Sequence, residues 1–463
     1  MGKQKKNEKG IPYGAREKMP VWYSLAWSSR GISAGIAAIM MMQITFYCTD
    51  ILGLNAAVIG TLFLVSKIID AFTDLGFGYI LDKTHTRFGK ARPYEWFIIL
   101  EWLCLVMLFN APHIGKTGQY IWIFVMYVIV NAVCATALGG IDSVYLARVF
   151  TSHKNQISVM SVNGFVVMFV SMAFNIVFPQ WLATGGTTQA GWADLMIPLG
   201  IGMAVIGILR FFFCKEVVVD EKPADVQKET NKLTLKESMK LLGKNKCMFI
   251  VVALMFLTFW VNNMSTATTY YFKYIVGDIA LQGTLAITSL VVVPALIIFP
   301  MLSNKIGTTK ILQSALLLGA IGILIRTIGG TNVTTLIIGG ILFGIGTLPI
   351  SMMINTYLID CMDYGEWKTG VRIEGLVASI VNFASKVGNG VAFGAVGLVM
   401  GIADYDGLAA TQTATANNAI IFLYNILPLI LFVVMFLVSL MYEADEVRPQ
   451  MDADLKAKHE REA

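Results

Sequence analysis

Charge is scarce in this chain, and histidine is scarcer. Only 14 % of the 463 residues are Asp, Glu, Lys or Arg, against roughly a quarter in an ordinary soluble protein. The four histidines (His85, His113, His153, His459) fall in loops or the tail, which leaves no intramembrane imidazole for proton or metal chemistry. The six cysteines (Cys48, Cys104, Cys134, Cys214, Cys247, Cys361) stand singly, with no Cys-x-x-Cys or Cys/His cluster. They read as apolar fillers rather than disulfide partners or metal ligands. No nucleophile–base constellation is present. The glycines Gly388, Gly390, Gly394 and Gly397 have no soluble domain around them and read as close-packing positions, not a phosphate loop. An enzyme and a resident cofactor are therefore not expected. The net charge of +5 lies at helix ends and in short loops, so no nucleic-acid partner is expected either.

What the chain does have is apolar length. Hydrophobic residues make up 56 % of it, with a mean hydropathy of +0.67. They are arranged in blocks of about 20 or more, enough to cross ~30 Å of hydrocarbon. Twelve spans are predicted, near 22–48, 56–82, 95–111, 119–147, 157–182, 194–214, 248–275, 283–302, 310–329, 333–358, 373–402 and 418–442. The apolar region after the basic N-terminal segment is too long for a signal peptide, so the first span is read as retained. The fold class is thus an all-α membrane protein of twelve transmembrane helices in two six-helix halves, 1–214 and 247–442. A polar linker at 215–246 joins them, and a tail covers 443–463. A short amphipathic helix is predicted in the linker near Leu233–Leu242. This two-half plan belongs to major facilitator transporters. Lys and Arg crowd alternate loops, with Lys116 the clear exception, which predicts cytoplasmic termini in a multi-pass plasma-membrane protein.

Two aspartates interrupt the second span: Lys67-Ile-Ile-Asp70-Ala-Phe-Thr73-Asp74. Each carboxylate near mid-membrane costs roughly 2.5–3.5 kcal/mol by insertion scales, so a pair needs a task. One helical turn separates Asp70 from Asp74, and Lys67 shares their stripe. Asp70 is about 12 or 13 residues from either end of the span, hence roughly 18–20 Å deep. Such a stripe can hold a monovalent cation or share a proton. Other intramembrane charges are Lys386 in the eleventh span, Asp142 in the fourth and Arg30 in the first. Asp142 with Tyr145 one turn later suits a sugar, whose hydroxyls want acceptors and whose ring face wants an apolar plate. Arg148 is near enough in sequence to partner Asp142 instead. Arg30 has two readings, recognition of an anionic cargo such as a uronate and snorkelling to the interface. Asn262, Asn263, Thr266 and Asn355 are softer candidates for a central cavity; Glu95 and Glu101 are read as lying at the third span's end or facing protein.

A weak internal repeat adds to the plan. Asp82-Lys83 with Arg87, Gly89 and Lys90 after the second span is matched by Asn304-Lys305 with Gly307 and Lys310 after the eighth. These residues are read as a latch between helices.

Three stretches carry a family likeness: Phe46–Asp50 running into Gly60–Asp74, then Thr86–Pro93, then Asp363-Tyr-Gly-Glu366-Trp-Lys-Thr-Gly-Val-Arg372-Ile-Glu374-Gly375 leading to Lys386. At these residues the chain resembles the glycoside–pentoside–hexuronide:cation symporters, the melibiose-permease branch of the major facilitator superfamily. The resemblance implies that Asp70 and Asp74 are cation-site acids, able to take Na⁺, with Thr73 where that permease has an asparagine ligand. It implies a cargo-binding role for Asp142 and a coupling role for Lys386. Gly139 falls where a fourth-span threonine ligand stands there. The first-span acid of that permease is absent, its fourth-span tryptophan becomes Leu146, and its fifth-span arginine has no counterpart here.

The expected function is import of a glycoside, oligosaccharide or uronide coupled to Na⁺ or H⁺, by alternating access of a monomer in the lipid bilayer. Cation-binding residues would be Asp70, Thr73 and Asp74; cargo residues Asp142, Tyr145, Arg30 and Asn262; coupling residues Lys386 and Lys67; latch residues Asp82, Arg87, Gly89 and Lys90. The alternatives are a carrier of another amphipathic molecule such as a lysolipid, and a sugar sensor that moves nothing.

Overall fold

The computed structural model describes residues 13–16, 19–84, 86–217, 243, 245–371, 374–442 and 444–462. Most of the expected linker, including Leu233–Leu242, lies outside these residues, as do the first twelve positions. Every regular element among the described residues is helical; the sole β contact is an isolated bridge, Thr86 to Gly89. The chain forms two compact units, residues 1–55 with 62–228 and residues 56–61 with 229–463.

The first unit is built from α1 (Val21–Met42), α2 (Ala56–Lys83) from residue 62 onward, α3 (Phe97–Leu108), α4 (Gly115–Val149), α5 (His153–Thr184) and α6 (Gln189–Phe213). α1 continues through Ile44–Phe46 into a wide turn at Tyr47–Ile51, and α4 contains another at Ile129–Ala135. The third helix is shorter than expected from the sequence. Its first turn, Arg92–Trp96, is 3₁₀ and has Pro93 as its second residue, a residue suited to a helix N-terminus but not to its interior. α1 packs between α5 and α6, and α3 lies on α6 and the wide turn of α4. At the end of this unit where α1 begins, Tyr23, Trp27, Tyr145 and Phe150 form an edge-to-face aromatic core.

The second unit comprises α7 (Lys246–Val276), α8 (Ser289–Ile306), α9 (Thr308–Gly329), α10 (Val333–Thr369), α11 (Glu374–Ile402), α12 (Ala414–Ser439) and α13 (Ala444–Glu462). Caps begin several of them: Asn245 accepts from Met248 N at 3.0 Å, and Thr413 accepts from Ala416 N at 3.1 Å. Small residues let α9 and α10 touch backbone to backbone. A Cβ on Gly322 would sit 2.8 Å from the Gly339 carbonyl oxygen, and one on Gly346 would sit 2.7 Å from Gly319 Cα. The cysteines are buried free thiols, but not all are solitary: Cys247 and Cys361, 114 residues apart, meet with their Sγ atoms 3.2 Å from each other.

The tail read at 443–463 contains the helix α13, held on the polar end of α10. Arg448 pairs with Asp360 at 2.9 Å, Lys458 with Glu366 at 2.9 Å, and Trp367 Nε1 donates to Asp454 at 2.9 Å. α10 is correspondingly longer than the predicted span, running eleven residues past Leu358 to Thr369. Nine helices among the described residues are long and apolar enough to cross a membrane, with Val333–Pro349 a shorter apolar stretch. The protein is a multi-pass membrane protein.

Candidate functional site

Two polar clusters lie inside the first unit, and α4 contributes to both. The first is acidic. Asp70 and Asp74, one turn apart on α2, turn to the same point on α4, where Thr136 Oγ1 lies 2.9 Å from Asp70 Oδ1 and 3.0 Å from Asp74 Oδ1. Asp70 is buried and Asp74 is half-buried. Lys67, one turn earlier, donates to Asn131 Oδ1 at 2.8 Å and stands 3.7 Å from Asp70 Oδ2. Its ammonium also lies 5.9 Å from the centre of the Tyr127 ring, which stacks on Phe63. Thr73 turns its hydroxyl onto the Asp70 carbonyl oxygen at 2.9 Å.

Oxygen donors from two carboxylates and a hydroxyl suit a hard monovalent cation, and they suit a shared proton equally well. Gly139 brings nothing to this cluster. Thr136, one turn earlier on α4, supplies the oxygen instead. The signal was present in the sequence as a hydroxyl residue just before Gly139, but the wide turn at Ile129–Ala135 alters which residues face α2.

The second cluster is ionic. Asp142 is gripped from two sides, by the Arg30 guanidinium of α1 and by Arg210 Nη1 of α6 at 3.0 Å. Arg210 also approaches Glu95 Oε1 at 3.4 Å through Nε. Trp27 covers the face of the Arg210 guanidinium at 3.6 Å, and Tyr145 lies 4.8 Å from it. Glu101, buried on α3, lies within electrostatic reach of Arg30.

Arg210 is a site residue that the sequence reasoning missed. It is the lone charge in Gln189–Phe213 apart from Asp194, the same mark that drew attention to Arg30. Glu95 was read as lying at the third span's end or facing protein; it faces protein, wholly buried against Arg210. Tyr145 was read as a plate for cargo. It is fully buried, and its hydroxyl donates to the Cys214 carbonyl, so the ring supports Arg210 and presents no open face. Arg148, considered as the Asp142 partner, pairs with Glu216 at 2.5 Å.

That Glu216 carboxylate organises the expected latch. It accepts from three successive backbone N–H groups, Lys90 at 3.1 Å, Ala91 at 2.8 Å and Arg92 at 2.8 Å, a nest suited to an anion. Gly89 has φ +114°, and a Cβ there would fall 2.3 Å from the Glu216 carboxyl carbon. Arg87 lies over the Phe88 ring at 4.7 Å. The side chain of Asp82 lies outside the described residues. In the second unit, Gly307, at the matching place of the repeat, also has a positive φ, +90°.

Asn262 and Lys386 belong to the second unit, both half-buried, on α7 and α11. Next to Asn262, Asn263 bonds to Asn389 of α11, one turn beyond Lys386. Thr266 is buried on α7, and the side chain of Asn355 lies outside the described residues.

The family model for MFS/sugar transport proteins matches residues 31–446. The isoprimeverose transporter of Lactiplantibacillus pentosus is 32 % identical over 449 residues, 95 % of this chain and 91 % of that protein. The chain belongs to the glycoside–pentoside–hexuronide:cation symporter family. An inner membrane symporter of Escherichia coli is 25 % identical, with 87 % of each chain covered; a glucuronide carrier protein homolog of the same organism is 25 % identical with 83 % of each covered. Among solved structures, the nucleoside transporter NupG superposes with a TM-score of 0.59 at 14 % identity, covering 89 % of this chain and 98 % of that one. An inward-facing bacterial homolog of the lysosomal transporter Spinster gives 0.60 at 13 %, covering 91 % and 96 %. Those two likenesses concern the major facilitator fold alone. This family member is a sugar transporter, and its acidic and ionic clusters are the candidates for its chemistry.

Proposed function

We propose that the protein imports a saccharide together with a monovalent cation, Na⁺ or H⁺, by alternating access. The observation that carries this reading is the bridging of Asp70 and Asp74 by Thr136. Two carboxylates in an apolar span repel each other and favour a bound positive particle. Thr136 and Asp142 lie six residues apart on one helix, about 9 Å at 1.5 Å per residue. A cation that draws the two acids onto Thr136 therefore acts on the helix that carries Asp142, the cargo acceptor. Lys67, as an internal ammonium beside Asp70, and Lys386 on α11 serve the coupling of the two events. The clustering of Lys and Arg in alternate loops supports cytoplasmic termini in a plasma-membrane protein.

Uptake by proteoliposomes tests the reading. Asp74→Asn is expected to abolish accumulation driven by a Na⁺ or proton gradient while cargo exchange survives. Full gradient-driven accumulation by that variant would refute the assignment of the acids.

A further inference from the structure

We infer that the cargo is an uncharged glycoside, and that Arg30 and Arg210 serve to keep Asp142 in place as an acceptor while remaining closed to acidic sugars themselves. This rests on the proposed function, in which Asp142 meets the cargo. Two guanidinium groups inside a sugar carrier suggest at first a clamp for a carboxylate, and Arg30 alone prompted that expectation. Yet the side chain of Arg30 is only 8 % exposed and that of Arg210 only 3 %, whereas the Asp142 side chain they hold is 46 % exposed. Arg210 has close neighbours besides Asp142. Arg210 is capped by Trp27 at 3.6 Å and faces Glu95 at 3.4 Å. Arg30 points its Nη2 into Asp142. An incoming molecule therefore meets a carboxylate, not a guanidinium.

The sum of charges points the same way. Asp142, Glu95 and Glu101 face Arg30 and Arg210, three carboxyl groups against two guanidinium groups on formal charge. A uronate would add a fourth carboxyl beside the one that protrudes. It could reach an arginine only by displacing Asp142 from both guanidinium groups, giving up two ion pairs already made. Adjacent sugar hydroxyls carry no such penalty. They donate to the free oxygen lone pairs of a carboxylate that two arginines have already oriented, which is preorganisation for a neutral polyol.

A matched competition panel decides the matter. Proteoliposomes holding the full-length protein take up radiolabelled isoprimeverose, and unlabelled methyl glucoside, methyl xyloside, methyl glucuronide and methyl galacturonide compete. The expected result is inhibition by at least one neutral glycoside and at least a hundredfold weaker inhibition by both uronides. Asp142→Asn is expected to raise the half-saturating neutral cargo concentration about thirtyfold. With the protruding charge removed and both arginines kept, that variant gains measurable inhibition by methyl glucuronide. Cation-driven uptake of a labelled uronide by the unaltered protein, abolished by Arg30→Gln, would overturn the neutral-cargo inference and leave the symport reading intact. If no saccharide, neutral or acidic, is accumulated, the symport reading falls and this inference with it.

Discussion

The Thr136 hydroxyl of α4 lies 2.9 Å from the Asp70 carboxylate of α2, and through the same oxygen it reaches Asp74. A single hydroxyl thus ties two acids that would otherwise repel each other across one helical turn. Removing it leaves the carboxylates in place and takes away one oxygen of the proposed cation site.

Thr136→Ala is therefore expected to raise the cation concentration for half-maximal uptake about tenfold, the equivalent of ~1.4 kcal/mol. Thr136→Ser should restore most of the loss. Equal cation dependence in all three proteins, measured by Na⁺ and pH titration of uptake, would exclude Thr136 from the cation site.

Lys67 lies 3.7 Å from Asp70 and donates to Asn131, so a resident ammonium already occupies one side of the acidic pocket. Any external cation must compete with it. Lys67→Gln should lower the half-maximal cation concentration several-fold while slowing gradient-driven accumulation relative to exchange. A rise in that concentration would mean that the lysine supports the site rather than competing in it.

Glu216 and Gly89 act on one contact. Glu216→Ala strands three backbone donors and Arg148, and is expected to destabilise the first unit by about 3 kcal/mol. Gly89→Ala pushes a methyl group into the Glu216 carboxylate and into a backbone conformation that L side chains rarely adopt. Because the Gly89 clash is with the Glu216 carboxylate, thermal melting in detergent should show a double variant less destabilised than the sum of the two single changes, with the backbone cost at Gly89 remaining. Strict additivity would place the two effects in different interactions.

Asp360 anchors α13 through both oxygens, to Arg448 at 2.9 Å and to the Tyr442 hydroxyl at 3.1 Å, and it is almost fully buried. Asp360→Ala, which strands Arg448 and the Tyr442 hydroxyl, should cost about 3 kcal/mol and expose the 444–462 helix to protease, whereas Lys458→Ala, which removes only the more exposed partner of the Glu366 pair, should cost less and leave the helix protected. Equal protection of the tail in both variants would show that apolar contacts such as that of buried Met451 hold the helix instead.

Much of this architecture was legible in the residue order, for a clear reason. A charge inside an apolar run is expensive, so Asp70, Asp74, Asp142, Arg30 and Lys67 announce themselves, and all five fall in the two clusters of the first unit. Their partners did not announce themselves. Arg30 meets Asp142 across 112 positions and Arg210 meets it across 68, separations that no helical periodicity encodes. Arg148 is nearer to Asp142 in the chain, yet it sits on another side of α4 and faces Glu216. Thr136 escaped notice because threonine is ordinary in membrane helices and because an extra residue in the preceding turn upsets counting in steps of four. Glu216 read as the start of a polar linker, since nothing in its neighbours reveals three backbone donors from a loop more than a hundred residues earlier.

The wide turn at Ile129–Ala135 ends where Thr136 begins. A turn with one surplus residue has loosened its ladder of hydrogen bonds, and a helix swivels there without having to snap. Tilting the Gly115–Val128 portion against the remainder would peel a hydroxyl away from a pair of acids and set free whatever small ion they had shared. In the proposed cation mechanism, ion discharge would then need only a knee in one helix, placed one residue from the atom that must let go.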